Sequence, residues 1–552
     1  MAHDTTLLSS EWSTLQQQTA PAASLATQAS PTTTVRLDVI DSGRNWVRTK
    51  VVDAESGELL PCRIHFRSPA GVPFLPYGHN SRLITNFHTD IGGDVLIGEV
   101  PYAYINGECE GWLPRGEVLV DVAKGFEYQP LRTQVEIVPG QQTLTITLKQ
   151  FVDMGKERYF SGDTHVHFLS AQGAHLEAAG EGVGVVNVLQ SQWGSLFTNT
   201  EEFTGRPSVA PNGKSIVYVS QENRQHLLGH LSLLGLVKPI MPWCVDGPTE
   251  GEIGGALETT LSRWADECRA QGGTTIIPHM PVPNGEVAAL VVSGRVDAAE
   301  MVVHDAYMHE EYYRYLNAGF RLPLAGGTDK MTSDVPVGIF RTYVHIPADE
   351  PFTYDNWCRG LRRGNTFVSS GPLLRLCVEG HTIGDTVRLS AGGGCIEVEA
   401  VADSNIPINC LEIIINGRVV DRTQVTNGAH HLHLKSTVRI TRHSWITARC
   451  AGPNYAPINH HTRSRRGVMA HTSPIYLAVG EDWWMFDQQI ATYLLTMMQG
   501  SLDYIHHRSP QWEPQHVTHR HGLNDHIAYL TEPILEAMAI IHQRMHALGL
   551  QH

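Results

Sequence analysis

Paired cysteines are missing from this chain. Its nine cysteines are scattered with no CxxC spacing, an odd number that suits neither a disulfide framework nor a Cys-rich zinc module. They read as reduced, mostly buried thiols. Also missing is any uninterrupted apolar run of about 20 residues, the length a membrane-spanning helix needs. Positive charge is scarce: 41 Lys and Arg stand against 56 Asp and Glu, a formal net charge of −15. Nucleic acids and anionic membranes do not attract such a surface, so general binders of either are excluded and the expected partner is a small-molecule substrate. Residues 1–34 are rich in Thr, Ser, Gln and Ala and lack both a basic start and an apolar segment. The expectation is a flexible N-terminal arm, no secretion signal and a cytoplasmic location.

At 552 residues the chain is too long for one core, and roughly three domains are expected. Over 35–152 the pattern is short alternating strands, such as Val47–Val52, Cys62–Phe66 and Glu117–Val122, punctuated by turn residues at Asp53–Gly57 and Pro139–Gly140. That rhythm predicts a β-sandwich, and VVDAESGELLPCRIHF resembles a carboxypeptidase-regulatory-like module. Over 153–370 strands alternate with helical patterns, clearest at Gly254–Gln271, where Leu257, Leu261 and Trp264 share a face. Such alternation implies parallel strands closing into an irregular barrel. A second β-sandwich is expected over 371–480, with Asn416–Gly417 as a hairpin signal. Over 481–552 two amphipathic helices are expected, the first ended by Gly500. Their apolar stripes would pack on the body of the protein, or on a second copy in a homodimer. The expected fold class is thus multidomain α/β plus β.

The chemistry centres on SGDTHVHF, residues 161–168. His165 and His167 stand two apart at the end of a predicted strand, so both imidazoles project to one face, with Asp163 on the same side. Further residues of ligand type fall at or near later strand ends: Glu222, His230, His279, His304 and Asp329. In a barrel of parallel strands, that end carries the chemistry. Taken singly, His230 in an apolar run reads as a core histidine and Asp329 after Gly326-Gly327-Thr328 as a turn or cap residue.

GDTHVHF, the Glu222-Asn223-Arg224 segment followed by LLGHLSLLGL, GGTTIIPHM, VDAAEMV and LAGGTDKM occur in this order. Together they resemble the PHP (polymerase and histidinol phosphatase) superfamily, in particular its CehA/McbA-type metallohydrolases, which include carbaryl hydrolases. The similarity spans about residues 47–479 and leaves the last seventy or so unexplained. It implies a PHP-type distorted (β/α)7 barrel flanked by the two sandwiches, and a dinuclear site. His165, His167 and Asp329 match ligands of a first metal, His230 and His279 those of a second, and Glu222 the carboxylate that bridges them. Mixed imidazole and carboxylate ligands suit Zn²⁺ or Mn²⁺, with Fe²⁺ also admissible. A third-metal ligand has no counterpart, because Gln190, Gln192 and Trp193 follow the second strand and Lys330 and Met331 follow Asp329.

Two cations sharing a carboxylate activate a water for attack, and the resemblance implies hydrolysis of a carbamate, ester or amide bond. The candidate catalytic residues are Asp329, His304 and Lys330, with Asp305 a further acid. Arg224, Trp193, Tyr307 and His175 are candidate substrate contacts. Two other readings stand beside this one. A PHP-type phosphoesterase would need cationic anchors, for which Arg224, Lys330 and Arg341 are available. A binding protein that has lost activity is the third.

Overall fold

Strict alternation of buried and exposed residues marks the first strand. Arg44–Asp53 buries Val47, Thr49 and Val51 and turns the residues between them outward, the mark of a strand with one covered face. It pairs in parallel with Thr143–Leu148 and joins Glu108–Pro114 in a three-stranded sheet. A second, six-stranded sheet includes Cys62–Arg67, Gly116–Ala123 and Leu131–Ile137. Val47 and Val51 from the first sheet share one core with Ile64, Val118 and Val120 from the second. The structure, a computed structural model, describes residues 41–80, 83, 85, 92–193, 196–225, 228–245, 259–280, 285–301, 308–452, 467–512 and 525–550. The expected arm over 1–34 lies outside them.

The central strands are β1 (Tyr159–Val166), β2 (Val185–Gln190), β3 (Ile216–Gln225), β4 (Gly229–Leu234), β5 (Thr274–Met280), β6 (Ala298–Met301), β7 (Leu324–Ala325), β8 (Arg341–His345) and β9 (Thr366–Ser369). β1, β2 and β3 run parallel, as do β5, β6 and β7. The wholly parallel expectation fails at β4, which is antiparallel to both β3 and β5. Only residues 226–228 separate β3 from β4, far too few for a crossover, so the chain must reverse in a hairpin. β8 is likewise antiparallel to β1. Beyond β7 the chain returns to the first strand: Val166 bridges Lys330 in parallel, and the His167 N–H donates to the Lys330 carbonyl at 2.8 Å.

Helices α1 (Ala171–Glu181), α2 (Leu261–Ala270), α3 (Val287–Val292), α4 (Met308–Asn317) and α5 (Tyr354–Arg363) punctuate these strands. α2 begins at Thr260, whose hydroxyl accepts the Arg263 N–H, and it buries Leu261, Trp264, Ala265 and Cys268. Such an N-cap satisfies one of the orphan donors of a helix start.

Farther on, Gly394–Ile415 and Arg418–Ile440 form one long antiparallel pair. The turn between them has Asn416 at φ 50° and Gly417 at φ 83°, as a two-residue hairpin of right-handed twist requires. Gly394–Ile415 is a single strand, with an irregular register between Asp403 and Ile408. β9 pairs with Met469–Thr472, so the central sheet continues into this region without a break.

The chain closes with α6 (Gln488–Trp512) and α7 (His526–Ala547). Gly500 does not end α6. Leu502 and Ile505 continue the buried stripe of Leu494 and Met498 past it. Each buried aliphatic side chain contributes roughly 1.5–3 kcal/mol, more than the ~1 kcal/mol that an interior glycine costs. Both helices bury their stripes in the chain's own core, against Leu290, Tyr312 and Leu316. The described residues thus form a mixed α/β molecule dominated by large sheets.

Candidate metal centre

Strand parity delivers the side chains. On β3, Glu222 and Arg224 project to one face, and across the hairpin Ser232 stands opposite Glu222 and His230 opposite Arg224. Directly opposed residues share a face, so Glu222, Arg224 and His230 all look the same way. His165 lies near the end of β1 with His167 just past it, and His279 lies near the end of β5. His279 and Asp329 have positive φ, 36° and 50°. Residues with a Cβ rarely adopt that region, and where they do the strain clusters at functional sites.

All six residues nominated as ligands meet. His165 Nε2 and His167 Nε2 are 3.0 Å apart. Glu222 Oε2 is 3.3 Å from His167 Nε2, and Glu222 Oε1 is 3.7 Å from His165 Nε2. Asp329 Oδ1 lies 3.4 Å from His165 Nε2 and 3.8 Å from His167 Nε2. The same Glu222 Oε1 is 3.1 Å from His230 Nδ1 and 3.3 Å from His279 Nε2. Two groups of three, His165–His167–Glu222 and Glu222–His230–His279, could each hold a metal ion, and Glu222 belongs to both. Ligands about 2.1 Å from a tetrahedral cation are roughly 3.4 Å from one another, which is the spacing seen here. The donor set fits a cation in a second respect. Asp329 Oδ1 is buried and has no hydrogen-bond partner among the described residues, a costly state for a carboxylate oxygen unless a cation completes it.

The surroundings fix the rings. Glu300, fully buried on β6, places its carboxylate 3.1 Å from His165 Nδ1. The His167 Nδ1 faces the Leu189 carbonyl at 3.3 Å. With Nδ1–H donating outward, both Nε2 lone pairs point into the cluster. Gly327 leaves no room for a side chain, since a Cβ there would sit 2.7 Å from Glu300 Oε1 and 2.6 Å from Thr164 Oγ1. Burial opposes charge on His165, but the carboxylates of Glu300, Asp329 and Glu222 outweigh it and hold His165 well above the ordinary histidine range. Burial likewise opposes charge on Glu222, yet His165 and His230 hold it well below the usual carboxylate range. Within the cluster, positive charge is what stabilises the carboxylates, the role a cation would fill. His165 and His167 are sealed, whereas the His230 and His279 side chains are 19% and 25% exposed. Solvent therefore reaches the cluster from the Glu222–His230–His279 side.

Asp163 does not join. Its carboxylate accepts N–H groups from His165 (3.0 Å), Thr328 (2.9 Å) and Gly338 (2.7 Å), clamping three segments together. The β1 register slips between Asp163 and Val166, which breaks the period-two continuity that would have kept Asp163 beside the histidines. The Lys330 ammonium is held by the Thr332 and Val335 carbonyls at 3.1 and 2.6 Å and lies 3.6 Å from Glu177. Arg341 donates to the carbonyls of Gly338 and Glu181 and covers the Phe126 ring. His175 has Ser215 and Ser208 hydroxyls at its two ring nitrogens, 3.0 and 2.9 Å away, apart from the six ligands. Trp193 contributes backbone to a short pairing with Leu196. His304, Asp305 and Tyr307 lie outside the described residues.

Glu300 is the residue of the candidate site missing from the sequence reading. Its signal was there: a carboxylate inside the apolar strand Ala298–Met301, where a charge is almost never buried without a partner. The chain matches no protein-family model, and no curated protein matches it.

Proposed function

We propose that this chain is a metal-dependent hydrolase that uses water activated at a dinuclear centre to cleave a carbamate, ester or amide bond of a small molecule. One observation carries the reading: Glu222 is shared between two candidate ligand groups, which together with Asp329 come from five separate stretches of chain. A pair of divalent cations in those groups would lower the pKa of a water and polarise the scissile bond. His165, His167 and Asp329 would hold one and His230 and His279 the other, with Glu222 common to both. The nitrogen and oxygen donors favour Zn²⁺ or Mn²⁺, and admit Fe²⁺. In this reading the central strands form a distorted PHP-type barrel closed through the Val166–Lys330 bridge, with sandwich domains to either side.

The chain's own residues then divide the remaining work. Glu300 and the Leu189 carbonyl fix the two buried imidazoles. Asp163 holds the Thr328 segment so that Asp329 faces inward. Arg224, buried on the face of Glu222, would contact the substrate's carbonyl, and His304 would supply the proton to the leaving group. The phosphoesterase alternative draws less support. Lys330 and Arg341, two of its three cationic anchors, direct their charges at backbone carbonyls and at Glu177.

Parallel assays of the metal-replete protein decide. Turnover of aryl N-methylcarbamates or p-nitrophenyl acetate, abolished by chelation, is expected, with p-nitrophenyl phosphate inert. Preference for the phosphate ester would transfer the protein to the phosphoesterase class. A protein that is metal-free as purified and indifferent to chelator would be the inactive binding module.

A further inference from the structure

Between α4, the Asn416–Gly417 turn and the residues around Arg439–Ser444 lies a second cleft, of about 880 Å³, within the size range of small-molecule sites. None of the six metal-centre residues lines it. Arg314, Arg418, Arg439 and Arg442 border it against two carboxylates, Glu310 and Asp487. On a chain with a net charge of −15, this is a local reversal of sign. Nor are the two carboxylates equal counterweights. Asp487 Oδ1 accepts the N–H groups of Gln489 and Ile490 at the start of α6, so its charge serves a helix N-terminus. Arg314 is bound to Glu311. Arg418, Arg439 and Arg442 form no ion pair among the described residues, although guanidinium groups are forks suited to carboxylate and phosphate.

The cleft is built as well as charged. Trp445 Nε1–H donates to Asn317 Oδ1 at 2.8 Å, Asn416 Nδ2 donates to Ser444 Oγ at 3.1 Å, and Trp483 Nε1–H donates to the Ser444 carbonyl at 2.7 Å. Those bonds tie helix, turn and strand together before any ligand arrives, which lowers the ordering cost of binding. Trp484, 45% exposed, and Phe486 give the cleft an aromatic wall. We propose that this cleft binds a small organic dianion, a dicarboxylate or a phosphate monoester, with its acidic groups on Arg418, Arg439 and Arg442 and its apolar body against Trp484 and Phe486.

Isothermal titration of the full chain with isophthalate and with phenylphosphonate tests this, since neither probe is hydrolysable. Saturable binding of at least one is expected, and which one binds separates carboxylate from phosphate chemistry. Arg439→Ala/Arg442→Ala should weaken binding by about tenfold or more, with Arg439→Lys/Arg442→Lys falling between it and the parent. His165→Ala should leave binding unchanged. Absence of saturable binding by the parent, equal binding by the alanine double variant, or loss of binding in His165→Ala would each overturn the proposal, the last by moving the anion to the metal centre.

Discussion

Glu222→Gln separates a shared carboxylate from a merely neighbouring one. The substitution keeps the side chain's shape and removes one negative charge. Glu222 Oε1 sits 3.1 Å from His230 Nδ1 and 3.3 Å from His279 Nε2, and Oε2 sits 3.3 Å from His167 Nε2. Both ligand groups therefore lose the charge at once. A four-ligand zinc site worth about 10–16 kcal/mol implies about 3 kcal/mol per ligand, roughly a hundredfold in affinity. The losses should be unequal. The first group keeps the Asp329 carboxylate, whereas the second is left with two neutral imidazoles. His230→Ala is the contrast, since it touches the second group alone. Metal content after dialysis, with competition titration against a chelator, should give two ions in the parent. His230→Ala should retain one, and Glu222→Gln less than one, with turnover lost in step. If Glu222→Gln retains two ions and normal turnover, or behaves identically to His230→Ala, the bridging role is wrong.

Two further outcomes follow from neighbouring residues. Glu300→Gln keeps a hydrogen-bond acceptor for His165 but removes its charge, and should cost about 10–100-fold in metal affinity with an unchanged circular dichroism spectrum. Gly327→Ala should act in the same direction, because the added methyl would meet Glu300 Oε1 at 2.7 Å; unaltered affinity in both would remove Glu300 from the centre. The second outcome concerns pH. His471 is buried, accepts the Tyr313 hydroxyl at Nε2 (2.7 Å) and donates from Nδ1 to the Thr472 carbonyl (2.7 Å). Burial first, and then the Arg449 guanidinium, pushes it down to about 3. The unfolded chain, with a histidine pKa near 6.5, binds more protons below that pH than the folded one. Stability from this group is therefore complete above about pH 6.5 and falls by up to ~1.4 kcal/mol per unit toward pH 3, or about 2 kcal/mol by pH 5. Buried His309, displaced the same way, adds to the trend. Denaturation of His471→Gln at pH 7.5 and pH 5 should show a shallower loss than the parent, and equal slopes would sink the assignment.

What could be read from the sequence, and what could not, divides on a physical line. Strands with one covered face, such as Arg44–Asp53, print their period directly, and the turn at Asn416–Gly417 prints its positive φ. The six candidate ligands were readable because the strands gather them, whatever their separation along the chain. The reversal at β4 was not, since side-chain alternation along a strand carries no direction. Its sign lay instead in the short connection to β3. Lys330 shows where alternation stops. Neighbouring residues of extended chain project to opposite sides. Asp329 has φ 50° and is not extended, so alternation does not carry through it, and the Lys330 ammonium turns to two carbonyls and Glu177. Spacing along the sequence drew Lys330 into the catalytic set, while its partners in the fold set it apart from the six candidate ligands. On β3 the alternation is regular and puts Arg224, a candidate substrate contact, one pleat beyond Glu222 and directly across from His230. The guanidinium at that position is buried, on the face that carries Glu222 and His230.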